Sequence, residues 1–222
     1  MLYKYLLKIS SKIGGITMVT SMSTLIRERR SVRKYDPNFT ISKEEILELL
    51  SEATMAPSTS NLQPWEFMVF MDEEQRKDLR AIAYNQEQIE TASAVIAVLG
   101  DKEFYRNIDP VHDSLLEAGY IDEASREVLV ANANKAYPHA PEEARKNLAT
   151  FDAGLAAMQF MLIAKEKGFA TGPMGGFDKV KFAERFNVDE RYFPIVLITI
   201  GKENSPAYST TRIAIEDKVK FI

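Results

Sequence analysis

The chain of 222 residues contains no cysteine and only two histidines, His112 and His139. That excludes a disulfide framework, a thiolate metal site and a cysteine nucleophile, and it leaves little scope for a zinc cluster or a Ser-His triad. A G-x-G-x-x-G fingerprint is missing, as is a Gly-Lys-Ser/Thr phosphate loop, so an ordinary nicotinamide-binding Rossmann domain is not expected. No stretch is read as an unbroken run of the roughly 20 apolar residues that a membrane-crossing helix needs. An enzyme with so few nucleophiles and bases is expected to leave its hard chemistry to a bound cofactor.

With 45% apolar and 27% charged residues, the composition is that of a globular protein, not a disordered one. The length suits one domain that buries about 70% of its unfolded surface. The net charge of −4 gives no global attraction to nucleic acid. Residues 1–35 nevertheless carry eight basic groups against Glu28 alone, a local charge of +7 that leaves −11 on the other 187 residues. In the first twenty residues, Lys4, Lys8 and Lys12 interrupt an apolar run of Leu and Ile. That spacing allows a short basic amphipathic helix but not a secretory signal. Residues 1–21 are read as an extension ahead of a single domain, 22–222, with neither membrane nor nucleic acid expected as a partner. The lack of cysteine suits a cytoplasmic setting.

Local signals then alternate between helix and strand. Ser23 is expected to cap a short helix running to about Arg29, and Ser42-x-x-Glu45 forms a capping box ahead of Ile46, Leu49 and Leu50. Trp65–Phe70 and Ala94–Leu99 read as strands, with a helix from Asp72 between them. Residues 101–140 read as polar and irregular, with one helix over Asp122–Lys135. Pro141 opens a helix that stops at Gly168, and its middle, Phe151 to Ala164, is apolar nearly all round. Such a helix is expected to be buried on several sides, in a core or between subunits. Phe193–Ile200 is a final core strand.

Three stretches could carry chemistry. Arg29-Arg30-Ser31-Val32-Arg33 sets three guanidiniums and a hydroxyl within reach of a phosphate. Pro57-Ser58-Thr59-Ser60-Asn61 offers neutral hydrogen-bonding groups with no acid or base. Gly172-Pro173-Met174-Gly175-Gly176 reads as a turn whose N–H groups can approach a ligand. Each alone is as readily a solvated face, a loop or a structural connection.

In this order the three resemble the FMN-dependent nitroreductase family. The resemblance runs from about Ser23 to Arg212 and includes Arg29–Asp36, Ala56–Phe67, Asn85, the long apolar helix, the Gly172–Asp178 turn and Arg212. It implies an α+β fold, a central, mostly antiparallel sheet flanked by helices, in an interwoven homodimer with shared FMN sites. Arg29, Ser31 and Arg212 are implied to hold the phosphate end, Arg33 to lie near flavin N1, and Arg30 to face solvent at a variable position. Pro57, Ser58, Thr59 and Asn61 would reach the flavin from the other subunit, Asn85 its edge, and Pro173, Met174, Gly175 and Gly176 its face and N5. Some members carry lysines where this chain has Gln88 and Thr210. The implied activity is NAD(P)H-dependent reduction of nitroaromatics, quinones or related electrophilic acceptors by ping-pong hydride transfer, with no catalytic side chain and no metal. The acceptor pocket's rim is expected in 101–140, with Phe104, Tyr105, Tyr120 and Tyr137 as candidates. A non-catalytic flavin redox sensor, or a same-fold enzyme of reductive dehalogenation or flavin fragmentation, is the alternative.

Overall fold

The computed structural model describes residues 21–222; the expected amphipathic helix in the first twenty lies outside the described residues. Twelve helices and strands follow from residue 22: α1 (Met22–Glu28), α2 (Lys43–Ala53), β1 (Trp65–Phe70), α3 (Glu73–Ile82), α4 (Gln88–Thr91), β2 (Ala94–Asp101), α5 (Ile108–Glu117), α6 (Glu123–Ala136), α7 (Glu142–Glu166), β3 (Ala170–Met174), α8 (Lys179–Arg185) and β4 (Tyr192–Gly201). The strands form one antiparallel sheet in the order β1-β2-β4-β3.

Helix starts follow the cap chemistry. Ser42 and Glu45 exchange both bonds of a capping box at α2, while Asp72, Asp122 and Asp178 cap α3, α6 and α8 through their carboxylates. At α1 the cap is Ser21, not Ser23: its hydroxyl accepts from the Thr24 amide. Gly168, at a φ of +84°, follows α7 in the left-handed conformation that suits glycine there.

β2 is buried along its whole length, and alternation sends its side chains into two layers. Ala94, Ile96 and Val98 pack with Ile198 and Ile200 against α2 and α7. Val95, Ala97 and Leu99 pack with Leu197 against Leu79 of α3 and Phe182 of α8. The result is a helix–sheet–helix sandwich. A satellite core joins Leu62 to Phe104, Ile108, Val111 and Ala133, and so docks α5 and α6 beside α7.

Two further readings need correction. Residues 108–117 are helical: Pro110 sits in the first turn, where its missing N–H costs nothing. Gly172 and Pro173 are not turn residues but lie inside β3, an edge strand, which tolerates proline. Within one chain, moreover, α7 is only partly enclosed. Asp152, Ala153, Ala156, Phe160 and Ala164 are buried, whereas Phe151 and Gly154 face outward. α7 and α1 also line an apolar groove with Met22, Leu25, Leu155, Met158 and Leu162.

Candidate cofactor site

The basic segment after α1 is pinned along the outer edge of β3. Val32 N–H donates to Thr171 O at 2.9 Å, and Ser31 pairs with Thr171 in a parallel bridge. Asp36 N–H donates to Lys202 O and Asn204 N–H to Lys34 O, extending the attachment to the end of β4. Tyr35 is the anchor: its buried hydroxyl lies 2.8 Å from Thr199 Oγ1, and burial pushes the phenol well above its ordinary pKa, so it stays protonated. The fit depends on Gly172, where an added Cβ would stand 2.4 Å from Val32 O and 2.8 Å from Thr199 Oγ1. Residues 29–33 therefore emerge from a rigid base.

Among the described residues, Arg29 has two buried side-chain donors, Nε and Nη1, left without a partner. Burial, then the charge of Arg212, then that of Arg30 lower its pKa. Arg30 itself is exposed and donates to the carbonyls of Arg27 and Arg29. Arg212 donates to Thr211 O and Thr210 Oγ1. Among the described residues, none of Arg29, Arg30, Arg33 and Arg212 is paired with a carboxylate. A cavity of about 590 Å³ is lined by Arg29 and Arg30 together with Lys165, Lys202, Ser205 and Ala207, and by two acids, Glu28 and Glu203. Glu203 is engaged, accepting from the Ala207 amide at 2.8 Å. Gathering like charges around unpaired buried donors is unfavourable unless an anion completes the set.

A second cavity, of about 360 Å³, shares the wall Ser205–Ala207 with the first. Ser31, Arg33, Gln88 and Tyr208 line it, and the Arg33 guanidinium lies 5.9 Å from the centroid of the Tyr208 ring. Gln88 is buried and donates through Nε2 to Met174 Sδ and to Gln86 Oε1, both at 3.0 Å. Gln86 donates to Gly176 O at 2.8 Å. The segment after α3, where Tyr84 and Asn85 take left-handed backbone at φ of 54° and 59°, is thereby tied to the Met174–Gly176 turn. Gln86, Gln88 and Tyr208 were not among the residues selected from sequence as binding, because amides and a tail tyrosine carry no motif signal.

The remaining candidates lie elsewhere in the chain. Pro57 lines the apolar groove with α1 and α7. Thr59 N–H donates to Asp152 Oδ2 at 2.7 Å, Ser60 Oγ lies 2.6 Å from Tyr137 Oη, and Ser58 Oγ accepts from Gln63 N–H. Neither Pro57, Ser58, Thr59 nor Asn61 lines the two arginine cavities of its own subunit. Of the aromatic rim candidates, Tyr120 is exposed and Tyr137 touches this loop. Phe104 is fully buried in the satellite core and cannot line a rim.

The nitroreductase family model matches residues 26–202. The chain belongs to the nitroreductase family. YodC of Bacillus subtilis (strain 168), which bears an NAD(P)H nitroreductase name, is 43% identical over 195 residues, 88% of this chain and 96% of its own. A nitroreductase-class protein of Exiguobacterium sibiricum, solved in complex with FMN, superposes with a TM-score of 0.88 at 39% identity, covering 92% of this chain and 98% of that one. The enone reductase CLA-ER, of a gut-bacterial fatty acid saturation metabolism, superposes at 0.84 with 28% identity over 92% and 99% of the two chains.

Proposed function

We propose that this nitroreductase-family protein is an FMN-dependent, NAD(P)H-oxidising reductase of nitroaromatics, quinones or conjugated carbonyl acceptors, working as a homodimer in the cytoplasm. The observation that carries this reading is half-buried Arg29, whose Nε and Nη1 are enclosed without partners while the charges of Arg212 and Arg30 act on it. An organic phosphate supplies the missing acceptors, and FMN in the similar Exiguobacterium structure is such a molecule. Bound FMN supplies ping-pong hydride transfer from NAD(P)H to the acceptor.

The chain's own residues then have separable tasks. Arg29 and Arg212 hold the phosphate end, and Ser31 adds a hydroxyl. Arg33, exposed and lining the second cavity, would supply a cation toward the end of the flavin ring that gains negative charge on reduction. The Gln86 and Gln88 ladder keeps Met174, Gly175 and Gly176 in place; Pro173 stands next to them in β3, and Asn85 precedes the ladder. Pro57, Ser58, Thr59 and Asn61 complete the partner's site. Two features support that last assignment: the loop lines neither arginine cavity of its own chain, and α7 turns Phe151 and Gly154 outward.

The test is the visible spectrum of the purified protein. A flavin spectrum that bleaches on NADH or NADPH under argon, and returns with a quinone or nitrofurazone through many turnovers, is the expected result. Slow bleaching with no acceptor turnover would mark a redox sensor instead. Absence of flavin after loading with excess FMN would end the reading.

A further inference from the structure

Within the apolar stretch of α7 stands one carboxylate. Asp152 is only 2% exposed, and among the described residues no basic side chain pairs with it. Burying an unpaired carboxylate is costly, so a helix that is otherwise alanine, phenylalanine and methionine on this face has a reason to keep it. Its hydrogen bond is to the Thr59 amide, at 2.7 Å and 93 residues away in sequence. Thr59 opens a single 3₁₀ turn, Thr59–Asn61, whose own N-cap, Ser58, makes no capping bond to it. The Ser58 hydroxyl is turned to the Gln63 amide instead. Asp152 therefore caps from another element a turn that does not cap itself.

The turn needs that help. Ser60, Asn61 and Gln63 all take left-handed backbone, at φ of 47°, 57° and 49°. Each is a conformation that non-glycine residues disfavour and that persists only where surroundings impose it. Tyr137 and Asn107 contribute holds at Ser60 and Leu62, but both come from the excursion of residues 101–140. Among the described residues Asp152 makes the one hydrogen bond between residues 57–63 and α7, beside the apolar packing of Pro57 and Leu62 against that helix.

We infer that Asp152 is the positioning residue that presents Thr59 and Asn61 to the partner subunit's cofactor. This rests on the assignment of the loop to the shared site made above. The informative variants are Asp152→Leu, which removes the acceptor but keeps a branched side chain of four heavy atoms, and Asp152→Asn, which is closely isosteric and keeps an acceptor oxygen. Asp152→Leu leaves the Thr59 amide without its acceptor, and protection of β2 reports whether the rest of the fold survives.

Amide exchange of the flavin-free protein and FMN titration together decide it. In Asp152→Leu, exchange across residues 57–63 is expected to rise about ten-fold or more while β2 stays protected, and the FMN dissociation constant to rise about ten-fold. Asp152→Asn is expected to restore both to within about three-fold of the unaltered protein. Unchanged loop exchange in Asp152→Leu, equal loss of protection in β2, or an asparagine variant no better than leucine would overturn the proposal. So would faster loop exchange with unaltered FMN affinity. If the unaltered protein fails to bind FMN at all, it is the function reading that falls, and the exchange pattern still reports whether Asp152 holds the loop.

Discussion

Replacing Arg29 with methionine separates binding from folding, because the two are expected to respond in opposite directions. In the flavin-free protein, Nε and Nη1 of Arg29 are buried without partners, and the charges of Arg212 and Arg30 act against it. Methionine keeps most of the aliphatic stem and removes the unpaired charge, so the urea midpoint of the flavin-free protein should hold or rise, by up to about 1 kcal/mol. For a chain of this size that is roughly 2–4 °C in Tm. The complex loses instead. Two charge-assisted bonds are worth about 1.5–3 kcal/mol each, and even the lower figure for both amounts to about 10²-fold in Kd. Arg29→Lys, a point charge without the planar fork, should fall between. Quenching of FMN fluorescence measures the affinity and urea unfolding the stability. A Kd within three-fold of the unaltered protein, or a flavin-free variant destabilised by more than about 1 kcal/mol, would refute the claim that this guanidinium is held in readiness for an anion.

Arg33→Ala should lower the reduction potential of the bound flavin, since the lost cation no longer favours the more negative state; an unchanged potential in flavin-saturated variant would remove that role. Gly172→Ala should destabilise the fold by about 1–3 kcal/mol, because the new methyl meets Val32 O at 2.4 Å; an unchanged urea midpoint would show that the basic segment is not held as tightly as described. A chain beginning at Ser21, which keeps the cap of α1, should retain FMN content and turnover. Loss of either on this truncation would make residues 1–20 part of the working protein and not an appendage.

Elements whose instructions are local were legible in the sequence. A serine or aspartate three residues ahead of the amide it accepts from marks the start of a helix regardless of what surrounds it, and so α2, α3 and α6 could be placed from their caps. The apolar run of β2 announced a buried strand in the same way. Local reading failed where neighbours outweigh propensity. Gly172 and Pro173 look like a turn, yet pairing with β4 makes them strand, and the closeness of Val32 O explains the glycine. The stretch before Asp122 read as irregular, yet Ile108–Glu117 is helical, with Pro110 in the first turn where a helix accepts proline.

The candidate site divides along the same line. Arg29–Arg33 by itself read as readily as a solvated face as a phosphate site, and it was its order with the other two stretches that turned it toward an anion. Which arginine would be left without partners was not written there: that follows from the partial burial of Arg29 and the charge of Arg212, 183 positions away in the chain. The acid within α7 lies in a stretch that read as apolar nearly all round, and its meaning required the Thr59 amide to be brought 2.7 Å from it. Side-chain type and short-range spacing are properties of the chain itself, and they determined the caps, the core strand and the basic segment. Hydrogen bonds and repulsions act over a few ångströms of space, so only tertiary packing could decide which donors stay unpaired and which loop a buried carboxylate holds.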